Sequence, residues 1–221
     1  MKLLFSALIK VTFGILLVGA LIFLPAGTLA FAKGWLLMGL LFIPMLIAGF
    51  VMLFKAPKLL AKRLDAKEKQ GDQKLVVAMS GLMFVAGFVV AGLDYRYSWS
   101  RMPMAVTVAS SVLFLFAYGL YAEVLRENAY LSRTVKVEEG QTVISTGLYG
   151  IVRHPMYSAT LLLFLSMPLV LGSVISFVVF LAYPFIIAKR IRNEEHVLEE
   201  GLPGYREYKQ TVKYRLIPYI W

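Results

Sequence analysis

Cysteine is absent from the 221 residues. That excludes a disulfide framework, a thiol nucleophile and cysteine-ligated zinc, and leaves the redox compartment open. Histidine is nearly absent, with only His154 and His196. Two imidazoles, among carboxylates without ligand spacing, argue against a metal site, and none is expected. Charge is scarce, at 16% of residues against ~25% in ordinary soluble domains. Acidic residues are the scarcer kind, 13 against 23 basic, for a net charge of +10. No nucleic-acid motif accompanies that charge, so no nucleic-acid partner is expected. The basic residues sit in short connecting segments, where they set membrane orientation and meet anionic headgroups. Repeats and low-complexity tracts are missing too.

Hydrophobic residues make up 59% of the chain, gathered in runs long enough to cross a bilayer. The expected spans are about Leu4–Leu24, Trp35–Phe54, Leu75–Leu93 and Met104–Tyr121, each near the ~20 residues that cross a ~30 Å hydrocarbon core. The apolar stretch from Val11 to Pro25 is longer than a signal-peptide core and follows Lys10, so it reads as a retained first span. Lys10 is the one charge within a predicted span, placed to snorkel. Between the second and third spans, Lys55–Lys74 sets Leu59, Leu60 and Leu64 among lysines, the pattern of a helix lying on the headgroups. Tyr95, Tyr97 and Trp99 suit an interface belt.

Glu123–Tyr157 is polar and contains no span. Ser158–Ala188 is apolar but interrupted by Pro168, Gly172-Ser173 and Pro184. As one straight helix it would run about 46 Å, too long for the core without strong tilt. A helical hairpin turning at Leu171-Gly172-Ser173 fits better, its second arm continuing as Lys189–Glu200. The expected fold is thus all-α and polytopic, with four full spans plus a C-terminal hairpin, five to six membrane segments in all. It divides into N-terminal helices (1–122) and a C-terminal catalytic region (123–221). The positive-inside rule favours the hairpin. It puts Lys55–Lys74, the polar stretch, the tail and both termini on the cytoplasmic face, leaving only Lys33, Arg96 and Arg101 outside.

Chemistry concentrates at that face. Arg153-His154-Pro155-Met156-Tyr157 precedes the hairpin, and Arg190 and Glu194 follow it, four apart on one helix face. Taken alone, that pair reads as a boundary ion pair, His154 as a capping residue, and Tyr149 and Tyr157 as interface aromatics. A hairpin that brings the two stretches together turns them into the walls of one site. Gly147 and Gly150 are turn residues; they form no dinucleotide-binding fingerprint, and no Gly-x-Ser-x-Gly elbow or His-Glu-x-x-His is present.

At these residues the chain resembles the isoprenylcysteine carboxyl methyltransferase family, part of a wider membrane group that includes phospholipid N-methyltransferases. The match runs over about Arg126–Trp221: Gln141-Thr142-Val143-Ile144, Gly147-Leu148-Tyr149 and Arg153-His154-Pro155-Met156-Tyr157, then Arg190-x-x-x-Glu194-Glu195, Gly204-Tyr205-x-x-Tyr208 and Arg215-Leu216-Ile217-Pro218. The resemblance implies a methyltransferase using S-adenosyl-L-methionine, with S-adenosyl-L-homocysteine as product, in a cytosol-facing pocket unlike a Rossmann site. By matching positions, Gln141, Thr142, Val143, Ile144, Gly147, Tyr149, His154, Pro155, Met156, Tyr157, Glu194 and Glu195 would contact the cofactor. Arg190, Glu194 and His154 would be catalytic, with Arg190 facing the acceptor. The acceptor would be a membrane-borne amphipath, most simply a prenylcysteine-like carboxylate, entering from the lipid. Three alternatives stay open: N-methylation of a phospholipid amine; an NADPH-dependent membrane reductase, with Arg153, Arg190 and Arg192 for the phosphate; and a non-enzymatic transporter or scaffold. Partners beyond membrane lipids and substrate, and the oligomeric state, are not specified.

Overall fold

The structure, a computed structural model, describes residues 2–65, 71–132, 137 and 139–221. Parts of the two polar stretches expected at Lys55–Lys74 and Glu123–Tyr157 therefore lie outside the described residues.

Hydrocarbon offers no partner for a backbone N–H or C=O, so a chain this apolar satisfies its peptide groups within helices. The first two helices are α1 (Lys2–Ala26) and α2 (Ala32–Lys55). Next come a short α3 (Pro57–Leu64) and the long α4 (Gly71–Tyr97) and α5 (Met104–Glu127). The C-terminal region adds α6 (Pro155–Leu171), α7 (Val174–Phe180), α8 (Tyr183–Gly201) and α9 (Tyr205–Thr211). No strand occurs among the described residues. Five helical segments are long and apolar enough to cross a membrane: α1, α2, α4, α5 and the run Val174–Gly201; α6 is a shorter apolar helix. The expected all-α polytopic fold is borne out. Two helices outrun their expected spans: α4 by four residues at each end, and α5 past Tyr121 to Glu127, because the polar residues there are still good helix formers.

Ser158–Ala188 folds as a hairpin rather than one kinked span. Gly172 takes φ +79°, a left-handed conformation that only glycine adopts cheaply. Ser173 then caps α7, its hydroxyl oxygen accepting from the Ser176 amide at 3.0 Å. Its own proton goes to the buried Asp94 carboxylate, which also accepts from the Ser100 amide and hydroxyl at 2.6 Å each. The turn is thereby tied to the end of α4. The second arm is not continuous: Leu181 and Ala182 stay near-helical, but Pro184 has no N–H to extend the ladder, and α8 starts afresh at Tyr183.

The core lies where α4, α6, α7 and α8 meet. Phe84 sits edge-on to Phe164 (4.8 Å) and Phe180 (5.5 Å), and Phe164 meets Tyr183 at 4.8 Å. Large apolar side chains on the outer faces, such as Phe13, Leu24, Phe50, Phe54 and Leu82, are exposed, as a lipid-facing surface requires. Lys10 turns out not to face lipid unaided: its ammonium donates to the Leu64 carbonyl at the end of α3, at 2.5 Å.

Candidate active site

The stretch before α6 is held from three sides. Gly147 opens a 3-10 turn (Gly147–Gly150) at φ +53°, and the Glu127 carboxylate accepts the Leu148 amide at 3.1 Å. A side chain at Gly147 would collide with that carboxylate. From the far end of the chain, the Tyr214 and Arg215 carbonyls accept the Arg153 and His154 amides at 2.9 Å each. Pro155 then starts α6, its missing N–H costing nothing at this position.

Two carboxylates on α8 answer this stretch differently. The buried Tyr157 hydroxyl donates to Glu194 Oε2 at 2.5 Å and accepts from Arg190 Nε at 2.8 Å. Arg190 and Glu194 are thus joined across one phenol that comes from the other arm of the hairpin. The Glu195 carboxylate is buried away from the cleft. It accepts from Arg153 Nε at 2.8 Å and Arg215 Nε at 2.9 Å, with His154 Nε2 at 3.4 Å and Lys209 Nζ at 3.9 Å. Arg153 also donates to the Val212 and Lys213 carbonyls. Glu195 is therefore the anion that binds α8, the foot of α6 and the tail into one unit.

These elements enclose a cleft lined by Gln141–Ile144, Tyr149, His154, Met156, Tyr157 and Glu194, the residues the sequence pointed to. Three of the expected contacts stand behind the wall and outside the lining: Gly147 shapes the turn, Pro155 starts the helix and Glu195 forms the ion hub. Arg190 lies outside the lining too and reaches it through the Tyr157 hydroxyl. Several lining residues carried no assigned role beforehand: Asn128, Tyr130, Leu131, Ser132, Leu198, Leu202, Tyr205 and Tyr208. Tyr205 and Tyr208 stood in the matching motif and were legible as a pattern. Asn128 was not: nothing local marks an asparagine at the end of α5 as part of a site.

The polarity of the cleft is specific. Asn128 Nδ2 donates to the Tyr149 hydroxyl at 2.9 Å, and Tyr208 donates to the Tyr149 carbonyl at 2.7 Å. Burial pushes the Tyr149 phenol up to about 12, against the smaller opposing pull of Asn128. Burial raises Tyr205 and Tyr208 as well. The polar lining combines phenols, amides, His154, the Glu194 carboxylate and the Arg153 guanidinium, which is paired with Glu195. The Tyr205 hydroxyl is buried with no partner among the described residues, and such an orphan calls for a ligand or water. The cavity is about 100 Å³, small beside the ~300 Å³ at which ligand pockets usually begin. Counted with its open, solvent-filled mouth the empty space is about 800 Å³. Among the described residues no group of histidines and carboxylates could hold a metal.

Fold and cleft together define a multi-pass helical membrane protein with a polar, aromatic-walled pocket where a helical hairpin meets the C-terminal tail. Residues 108–200 match the model of the isoprenylcysteine carboxyl methyltransferase (ICMT) family, which supports the resemblance carried by the motifs. The match begins within α5, ahead of the first residue that resembled the family by motif, and supports a membrane methyltransferase. The chain is also similar to a Delta(14)-sterol reductase, TM7SF2, of Mus musculus, at 30% identity over 91 residues. That alignment covers 40% of this chain and 22% of the reductase, so the chain spans about a fifth of that relative's length.

Proposed function

We propose that the protein transfers a methyl group from S-adenosyl-L-methionine to a membrane-borne amphipathic acceptor, most simply a carboxylate such as that of prenylcysteine, at the cytoplasmic face. The observation that carries this reading is the Arg190–Tyr157–Glu194 chain at the edge of a cleft built largely from the family-matched region. The cleft's chemistry fits the cofactor. Glu194 offers a carboxylate to its hydroxyl or cationic groups, Tyr149 and Tyr157 offer aromatic faces to a cation, and the Tyr205 hydroxyl still needs a partner. Gln141–Ile144, Asn128, His154 and Met156 complete the wall.

The cofactor, when bound, supplies a methyl already activated on a sulfonium. A carboxylate acceptor then needs no general base, and the protein's own work is alignment and exclusion of water. Effective molarities of ~10⁵–10⁸ M show how much alignment alone contributes. Arg190 holds the acceptor oxygens in a charge-assisted grip. Tyr157 keeps Arg190 and Glu194 in register by donating to one and accepting from the other. The Glu195 hub acts at a distance, keeping both arms of the hairpin and the tail in place.

A nicotinamide-dependent reductase is the second reading, favoured by the similarity to the sterol reductase. The site weighs against it. Arg153 is the arginine in the described lining, and its guanidinium is committed to Glu195 and two carbonyls, leaving little for a 2′-phosphate. Calorimetric titration of the purified protein separates the two. Heat with S-adenosylhomocysteine and none with NADPH is expected. The reverse result, or no heat with either, removes the methyltransferase reading.

A further inference from the structure

Helix α6 is short for a membrane segment, and the tail is strapped to its foot. At 1.5 Å per residue its 17 residues reach about 25 Å, against a hydrocarbon core of ~30 Å. Its far end is fixed at polar depth. There the Gly172-Ser173 turn lies against the Lys33 side chain and the Asp94 carboxylate, near the exposed Tyr97 and Trp99. The foot at Pro155–Ser158 therefore lies no farther out than the headgroups on the cleft side, and any tilt draws it deeper. Tail residues bonded to that foot share its depth. Ser158 Oγ donates to the Leu216 carbonyl at 2.6 Å. From Leu216 the chain closes a small loop. The Leu216 and Ile217 amides donate to the Trp221 carbonyl at 2.8 and 3.0 Å, and the Ile220 and Trp221 amides donate to the Ile217 carbonyl at 3.1 Å each. Tyr219 sits within the loop at φ +66°, a region that a bulky residue occupies only where its surroundings hold it. The loop buries Leu216 and turns Tyr219 and Ile220 outward, 88% and 77% exposed.

We propose that the loop Leu216–Trp221 is a membrane-interface anchor, with Tyr219 and Ile220 inserted into the headgroup and upper acyl layer on the cleft side. The partner is a lipid surface. Depth commits the loop to it, because the foot of α6 brings these residues to the bilayer's edge. Composition agrees. Residues 216–221 carry no charge, so insertion dehydrates no ion, and tyrosine and tryptophan suit the headgroup level. The nearest cation, Arg215, pairs with the buried Glu195 at 2.9 Å and lies 5.3 Å from the centre of the Trp221 ring. The Tyr214 ring, 5.3 Å from that of Tyr219, extends the aromatic surface. The anchored loop backs the stretch whose carbonyls receive the Arg153 and His154 amides. The bilayer thereby helps to hold the foot of α6 against the tail. This inference does not rest on the methyltransferase reading.

Site-directed spin labelling of the cysteine-free full chain in dioleoylphosphatidylcholine nanodiscs tests this. A nitroxide at Ile220→Cys should meet oxygen, which concentrates among acyl chains, more than a water-soluble nickel chelate. Its oxygen-to-nickel accessibility ratio should stand roughly threefold or more above that of Gln210→Cys, an exposed position on α9, and on the side of the exposed Phe185→Cys within the membrane run. Unlabelled protein guards against a label that inserts by itself. Ile220→Asp should lower the thermal unfolding midpoint in the same nanodiscs, whereas Ile220→Leu keeps it; a side chain in water would tolerate both. A label as open to nickel as that at Gln210→Cys, or an unchanged midpoint in Ile220→Asp, overturns the proposal. A label shielded from both reagents overturns it as well, since protein and not lipid would then cover the loop. No readout involves the cofactor, so the anchor and the methyltransferase reading stand or fall separately.

Discussion

Glu194 and Glu195 are neighbours of one chemical type with opposite work. Glu195 is buried against two guanidinium groups, so removing its charge leaves cations uncompensated in a dry interior. Breaking such a pair typically costs ~3–5 kcal/mol. Glu195→Gln should therefore lower the thermal unfolding midpoint sharply, as read in detergent by intrinsic fluorescence. Glu194→Gln should behave in the opposite way. It keeps a hydrogen-bonding partner for Tyr157 and should cost less than ~1 kcal/mol of stability, yet weaken S-adenosylhomocysteine binding tenfold or more by calorimetry. The sequence alone marked both glutamates for the cofactor. Adjacent helix positions point ~100° apart, and which one meets the cleft depends on how α8 is rotated against the tail, a contact no local pattern encodes.

Tyr149 gives the same scale a pH dependence. Its folded-state pKa of about 12 lies above the ~10 of an unfolded tyrosine. The stability this contributes is intact below pH ~10 and is lost as pH rises through 12, at most about 3 kcal/mol. Burial raises Tyr205 and Tyr208 in the same direction. Alkaline titration of the unfolding midpoint should show a steep fall in that window. A Tyr149→Phe variant should make that fall shallower, because one of the three ionisable hydroxyls is gone.

Among the elements, the hairpin positions the chemistry, and its turn depends on one backbone conformation. Alanine at Gly172 would have to hold φ +79°, costing roughly 1–2 kcal/mol; its Cβ would also press on the Lys33 side chain. At Gly147 the same substitution adds a collision with the Glu127 carboxylate that anchors the 3-10 turn. Gly172→Ala should lower the unfolding midpoint with little effect on ligand affinity. Gly147→Ala should lower both, because the residues it moves line the cleft. The elements themselves were legible in advance. Length, apolar continuity and the Gly-Ser interruption set out four spans and a turn-back. The break at Ala182 was legible only as a proline; that α8 restarts there, aimed at the foot of α6, follows from the packing of Tyr183 and Phe164.

For the whole molecule, the decisive fact is that His154 and the tail meet. The His154 amide donates to Arg215, so both lie on one side of any membrane the helices cross. The cysteine-free chain makes this easy to check by single-cysteine accessibility labelling with an impermeant maleimide. Ser132→Cys and Gln210→Cys should label from the same side, expected to be the cytoplasmic one, and Ser98→Cys from the other. Labelling of Gln210→Cys from the side of Ser98→Cys would break the site apart.

Composition and local pattern determined the class of protein, the spans, the hairpin and about half of the cleft's wall. Hydrocarbon forces helices on apolar runs whatever their neighbours, and motif residues keep their spacing along the chain. Two things were decided only by tertiary structure: the separate work of Glu194 and Glu195, and the entry of Asn128 into the cleft. Each depends on residues dozens of positions apart meeting with a particular helix rotation, and the free energy of those meetings resides in contacts that no single segment contains.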